Sequence, residues 1–239
     1  MTEKKTFLLL AGLLGLLLVC AFLGNPQKAR GEELNGGVGL TLESGLIRRG
    51  VLLHTGMGQA VYAGVGDENL QVSFWADRAV GFAENGVQLG LGNDWVGLNL
   101  VGYSDQKDAS TDGVAEVHLG LHRDKGAGFR YDLRAIGQQS ALERVNWAVL
   151  SLGYLKQTQP VDLWIDLKFN GQDSKLLKSA AHSTELHLGL SVPLVGGHLE
   201  LGGMTSAPSS TLAKEVIIAQ SGSGTGSYSA LYLGVGYVF

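Results

Sequence analysis

The sequence predicts an all-β protein: a transmembrane, antiparallel, up-and-down β-barrel of about twelve strands, with ten as the alternative count. Three observations point there. Apolar residues recur with a period of two from Leu34 onward. The connections between the periodic segments alternate between short and long. The last segment, Leu231-Tyr-Leu-Gly-Val-Gly-Tyr-Val-Phe239, keeps the alternation up to a terminal phenylalanine. Successive side chains of a strand point to opposite faces, so such a segment has one apolar and one polar side.

The first 31 residues read as a signal peptide. Lys4 and Lys5 precede a leucine-rich apolar stretch from Phe7 to Gly24, and Ala29-Arg30-Gly31 has the small-x-small pattern of a cleavage site. Residues 32–239 then form the barrel, exported to the outer membrane. Removing the signal takes away Lys4, Lys5, Lys28, Arg30 and Glu3, which lowers Lys+Arg from 18 to 14 and Asp+Glu from 22 to 21. A net charge near −7 argues against a nucleic-acid partner. Cys20, the only cysteine, falls within the apolar stretch, so the exported chain has no disulfide. No later apolar run reaches the roughly 18 residues of a helical span.

Twelve strands are expected at 36–46, 57–65, 69–77, 86–92, 95–103, 113–123, 127–137, 145–156, 161–169, 184–192, 198–206 and 227–239. The ninth shows the pattern well: Val161, Leu163, Ile165, Leu167 and Phe169 alternate with Asp162, Trp164, Asp166 and Lys168. Short turns are expected at Asp67-Glu-Asn, Asn93-Asp94, Asp124-Lys-Gly, Thr158-Gln-Pro160 and Pro193-Leu-Val-Gly-Gly197. Long loops are expected at 47–56, 78–85, 104–112, 138–144, 170–183 and 207–226. Outer-membrane barrels pair short periplasmic turns with long outer loops, and an even strand count puts both termini on the periplasmic side. Pro160, Pro193 and Pro208 are expected in connections, because proline removes a ladder hydrogen bond that nothing replaces in hydrocarbon. Within the longest loop, Val216-Ile217-Ile218-Ala219 is read as a strand extension above the membrane. Glycines on the polar face, among them Gly189 and Gly236, would relieve crowding in a narrow barrel.

With the apolar face against outer-membrane lipid, the polar face lines the lumen. The expected pore-lining residues are Glu116, His118, Arg130, Asp132, Arg134, Asp162, Asp166, Lys168, Glu185, His187 and Glu200, with His122 and His198 on the same parity. An Arg or Lys facing lipid near the midplane costs about 2–4 kcal/mol, so this segregation is informative. Twelve strands make a wider barrel than the eight-stranded kind that side chains just fill. The expected function is therefore a porin-like channel for passive diffusion of small polar solutes, and the excess of acids suggests a mild cation preference. The rival is a barrel plugged by its own charges, with function in the loops. A lipid-modifying hydrolase is a third reading, for which His182-Ser183 and Glu185 are the available residues. Neighbours on an extended chain point apart, which argues against a triad there. His118 and His122 lie about 13 Å apart along one strand, too far to share a metal. No cofactor, metal or catalytic residue is expected. The terminal strand ending in Phe239 would engage the barrel-assembly machinery.

Residues 34–76 carry a further signal: Ser44 to Val51 with Arg49-Gly50, then Gln59-Ala-Val-Tyr-Ala-Gly64, then Leu70-Gln-Val-Ser-Phe-Trp-Ala76. This resembles the opening of the TorF-type putative porins, small outer-membrane barrels, over less than a fifth of the chain. It departs before the Arg-Gly step, where that family carries an aromatic and this chain has Gly45 and Ile47. The resemblance implies porin-like transport and no particular substrate.

Overall fold

The computed structural model describes residues 35–239 except 68, 94, 108–109, 124–126, 142, 159, 174–179, 222–225 and 239. The expected signal peptide and Phe239 lie outside the described residues. The strands are β1 (Asn35–Arg48), β2 (Val51–Gly66), β3 (Leu70–Ala79), β4 (Phe82–Gly92), β5 (Val96–Lys107), β6 (Ser110–Arg123), β7 (Gly128–Gln139), β8 (Arg144–Thr158), β9 (Val161–Asp173), β10 (Ala180–Leu194), β11 (Gly197–Pro208) and β12 (Tyr228–Val238). One helix, α1 (Thr211–Ser221), joins β11 to β12. Each strand pairs antiparallel with its neighbours, and β12 closes the ring on β1, with Gly37 opposite Val238 and Glu43 opposite Tyr232. Closure leaves no open edge, as a sheet in hydrocarbon requires.

Leu40, Leu42, Val61, Leu119, Leu133, Leu150, Ile165, Leu188, Leu201 and Leu233 are large apolar residues left exposed around the ring. A belt of this kind on a closed barrel is a lipid-facing surface. The opposite parity is polar and partly buried. Glycines make room on it: a Cβ at Gly189 would lie 2.6 Å from Trp164 Cζ2, and one at Gly86 would overlap the Trp75 ring.

The expected alternation of short and long connections does not hold. The segments read as loops at 47–56 and 78–85 are strand nearly throughout, closed by the two-residue turns Arg49-Gly50 and Val80-Gly81. The segment at 138–144 shrinks to residues 140–143, and 170–183 is strand at both ends. The apolar pattern stops where lipid contact stops, but backbone pairing continues beyond it. Pro193 and Pro208 also fall inside β10 and β11, each at or next to the strand end. Val216–Ala219 belong to α1 rather than to a strand extension: Ser210 caps the helix, its Oγ accepting from the Ala213 N–H at 3.1 Å, and Ala213, Val216 and Ile217 are buried.

Candidate functional site

The end of the barrel opposite the described termini, Asn35 and Val238, is closed from within. Register shifts interrupt β1 between Glu43 and Gly45 and between Leu46 and Ile47, and bulges of this kind bend a strand. The β1–β2 turn follows, with Arg49 at φ 51° and Gly50 at φ 84°, the two positive angles of a type I′ hairpin. Gly50 admits no side chain: a Cβ there would overlap Ser183 Oγ and lie 3.3 Å from His182 Nδ1 on β10. The tip therefore sits inside the ring.

Both arginines of the tip anchor it. The Arg48 guanidinium donates from Nη1 and Nη2 to Glu84 Oε2 and Oε1 on β4 (2.8 and 2.6 Å) and lies 4.9 Å from the Tyr103 ring centroid on β5. Arg49 donates from Nη1 and Nη2 to Glu116 Oε1 and Oε2 on β6 (3.0 and 2.6 Å), and from Nη1 to Gln138 Oε1 on β7 (3.3 Å). It also lies 5.4 Å from the Trp147 ring centroid on β8, the strand diametrically opposite β2. The acceptors are themselves held. Trp75 Nε1 donates to Glu84 Oε1, Tyr103 OH donates to Glu116 Oε1, and Trp147 Nε1 donates to Gln138 Oε1. Forked guanidinium–carboxylate bonds fix geometry as well as charge. Helix α1 completes the closure, with Ile217 packed on Ile47, Leu52, Tyr228 and Ala230 and Ser221 Oγ accepting from the Leu52 N–H at 3.0 Å.

The structure divides the sequence-derived lumen residues among several places. Glu116 and His118 belong to the closed end, joined at 2.6 Å through His118 Nε2. Glu185 accepts from Asn170 Nδ2 and bonds His187 Nε2, both at 2.8 Å. Arg130 Nη2 donates to both oxygens of Asp166 at 3.2 Å, and Arg134 Nε donates to Asp132 Oδ1 at 2.9 Å. Glu200 accepts from Tyr232 OH at 2.8 Å. Asp162 stands opposite Ser191 and Gln157 on the parity of Asp166. Toward the end carrying the termini the lumen is hollow. One cavity of about 210 Å³ lies against Gln71, Gln88, Asn99, His118, His122 and Arg134. Another of about 470 Å³ lies against Arg130, Trp164, Lys168, His187, His198 and Glu200.

Sequence reasoning missed Arg48, Arg49, Glu43, His54, Asp77 and Glu84. Arg48, Arg49, His54 and Glu84 lay in segments read as loops. The available signal was parity: Glu84, Gly86, Gln88 and Gly90 continue one polar face without a break. The argument that His182 and Ser183 point apart also fails. A bulge between Ala181 and Ser183 breaks the alternation, and both residues are buried. Ser183 Oγ accepts from Asn170 Nδ2 at 3.0 Å, and Gly50 covers the pair.

No protein-family model and no curated protein sequence matches the chain. Solved structures do. The KdgM porin superposes with a TM-score of 0.55 at 8% identity, over 85% of this chain and 99% of that one. The KdgM porin in complex with disordered oligogalacturonate gives 0.53 at 8%, over 86% and 99%. LpxR from Salmonella typhimurium gives 0.51 at 8%, over 85% and 100%. The chain has the fold of small outer-membrane barrels. At this identity the likeness concerns the fold alone, and it spans porins and LpxR alike.

Proposed function

We propose that the protein is a porin-like outer-membrane channel for passive diffusion of small polar solutes, closed at its outer end by the tip of its own first hairpin. The observation that carries this is the unequal filling of the lumen. Polar cavities occupy the end that bears the termini, and a two-residue turn held by side-chain bonds blocks the other. A barrel built only to be solid would fill both halves. The resemblance of residues 34–76 to TorF-type porins agrees with this reading. The excess of lumen acids would favour small cations, since rings of charge bias passage.

Planar-bilayer recording of refolded protein tests it. Discrete conductance steps are expected, more frequent or larger in an Arg49→Ser variant. A specific observation favours a second reading, a plugged barrel that acts through its outer surface: two forked ion pairs hold the tip. Silence from both wild type and variant would select that reading. For the hydrolase reading, the serine the sequence offers, Ser183, is 1% exposed and lies beneath Gly50.

A further inference from the structure

Three residues on neighbouring strands converge on the inner face beside the hairpin root: Glu43 on β1, His54 on β2 and Asp77 on β3. They are 7%, 6% and 4% exposed. Each offers one ligand atom, and the three atoms lie within 4.8 Å of one another. His54 Nε2 is 3.0 Å from Glu43 Oε1 and 3.9 Å from Asp77 Oδ1. The backbone makes the space: Gly58 pairs with Glu43, and a Cβ there would lie 2.6 Å from His54 Cε1. Phe82 walls the site, its ring centroid 5.2 Å from that of His54.

Two observations leave this cluster room for a further partner. Asp77 Oδ1 is buried and has no hydrogen bond, and neither does His54 Nδ1. Among the described residues, neither nearby arginine bonds the carboxyl of Glu43 or Asp77. Glu43, Asp77 and Glu84 bring three carboxylates, while the nearby cation, Arg48, spends both Nη groups on Glu84. Arg78 donates instead to the carbonyl oxygens of Asp77 and Glu84 and to Asn85 Oδ1. Buried like charges this close require a counter-charge or a proton.

We infer that Glu43, His54 and Asp77 form a binding site for a divalent transition-metal ion of the zinc type. One imidazole and two carboxylates suit zinc, whereas calcium and magnesium take oxygen ligands throughout. Zinc–ligand bonds of about 2.0–2.2 Å place tetrahedral ligand atoms about 3.4 Å apart. The present separations bracket that value, so small side-chain rotations suffice, and water takes the fourth position. The ion supplies a counter-charge and ties β1, β2 and β3 together beneath the turn that closes the lumen. The inference stands on these residues alone and does not depend on the barrel conducting.

The test is metal content of the full-length refolded barrel, stripped with chelator, dialysed against zinc and then against metal-free buffer. Heat-modifiable gel mobility establishes folding. The expected result is one zinc per chain in wild type, lost in Asp77→Asn and in Glu43→Gln, with a zinc-dependent rise in melting temperature in wild type only. Glu43→Gln keeps the shape of the side chain, so it reports even if Asp77→Asn fails to fold. Absence of zinc from folded wild type overturns the inference and leaves a proton shared between the carboxyls. Undiminished zinc in Glu43→Gln overturns it as well, by placing the ion elsewhere.

Discussion

Arg49 reaches from the tip of the first hairpin to Glu116 on β6 and closes two bonds on its carboxylate, at 3.0 and 2.6 Å. The side chain of Glu116 is 2% exposed and that of Arg49 is 13% exposed. Removing one member of such a pair strands the other in a poorly solvated place. Arg49→Ala is therefore expected to lower unfolding free energy by roughly 2–3 kcal/mol, less than a fully orphaned buried charge would cost because His118 and Tyr103 still bind Glu116. Urea unfolding measures this. An unchanged midpoint would mean that the pair contributes nothing to holding the tip.

Gly50→Ala attacks the same tip by shape rather than charge. Alanine disfavours the φ of 84° and its Cβ collides with Ser183. The turn should leave its seat with Arg48 and Arg49 still present. Faster protease cleavage within residues 47–52 is the expected readout, together with raised conductance. Protease resistance of Gly50→Ala equal to that of the wild type would contradict the inward position of the turn.

Asp162 and Asp166 share one face of β9 but differ in partners. Asp166 is balanced by Arg130, whereas no ion pair of Asp162 occurs among the described residues. Asp162→Asn should shift the reversal potential under a salt gradient toward anions by more than Asp166→Asn does. Equal shifts, or a larger shift for Asp166→Asn, would show that Arg130 does not neutralise Asp166, and no shift in either variant would count against lumen charge as the source of selectivity.

Helix α1 buries Ile217 completely. Ile217→Ala should cost about 2–4 kcal/mol through lost burial and a residual cavity. The check is chemical denaturation with the barrel's strand signal followed by circular dichroism. A loss below about 0.5 kcal/mol, the scale of ordinary surface substitutions, would show that the helix rests loosely on the barrel mouth.

The β2–β3 turn, at the end bearing the termini, offers a pH-dependent reading. Asp67 Oδ1 accepts from the Asn69 and Leu70 N–H groups at 2.7 and 2.8 Å, and these bonds hold its carboxyl below the ordinary value of 3.8. A lowered folded value means that the stabilisation is complete above the ordinary carboxylate range and disappears as pH falls through the folded value. Amide shifts of Asn69 and Leu70 should titrate with a midpoint below 3.8, and this step should vanish in Asp67→Asn. A midpoint above 3.8 would refute the assignment.

The strand order and the polar parity were legible because lipid imposes them. Leu163, Ile165 and Leu167 share one face of β9 by their alternation, which puts Asp162, Asp166 and Lys168 together on the other. The closed end was not legible. Glu84 and His54 sit above the apolar belt, where the periodic signal fades although pairing continues. The inward fold of Arg49 depends on two bulges in β1, and a bulge changes register without leaving a distinct residue pattern. His182 illustrates the same limit: one extra residue in β10 turned two side chains to one side. Val216–Ala219 looked like strand because three of its four residues favour β structure, yet Ser210 and the apolar spacing of Ala213, Val216 and Ile217 favour a capped helix.

The hairpin that carries Arg49 is built from β1 and β2, and β1 is also one side of the seam that β12 zips shut. Sealing the wall and corking the mouth are thus coupled acts of one segment. Until β1 has docked on β12, the cork has no fixed base from which to span the ring. A barrel that has not zipped β1 to β12 would be open at its seam and uncorked at its mouth together.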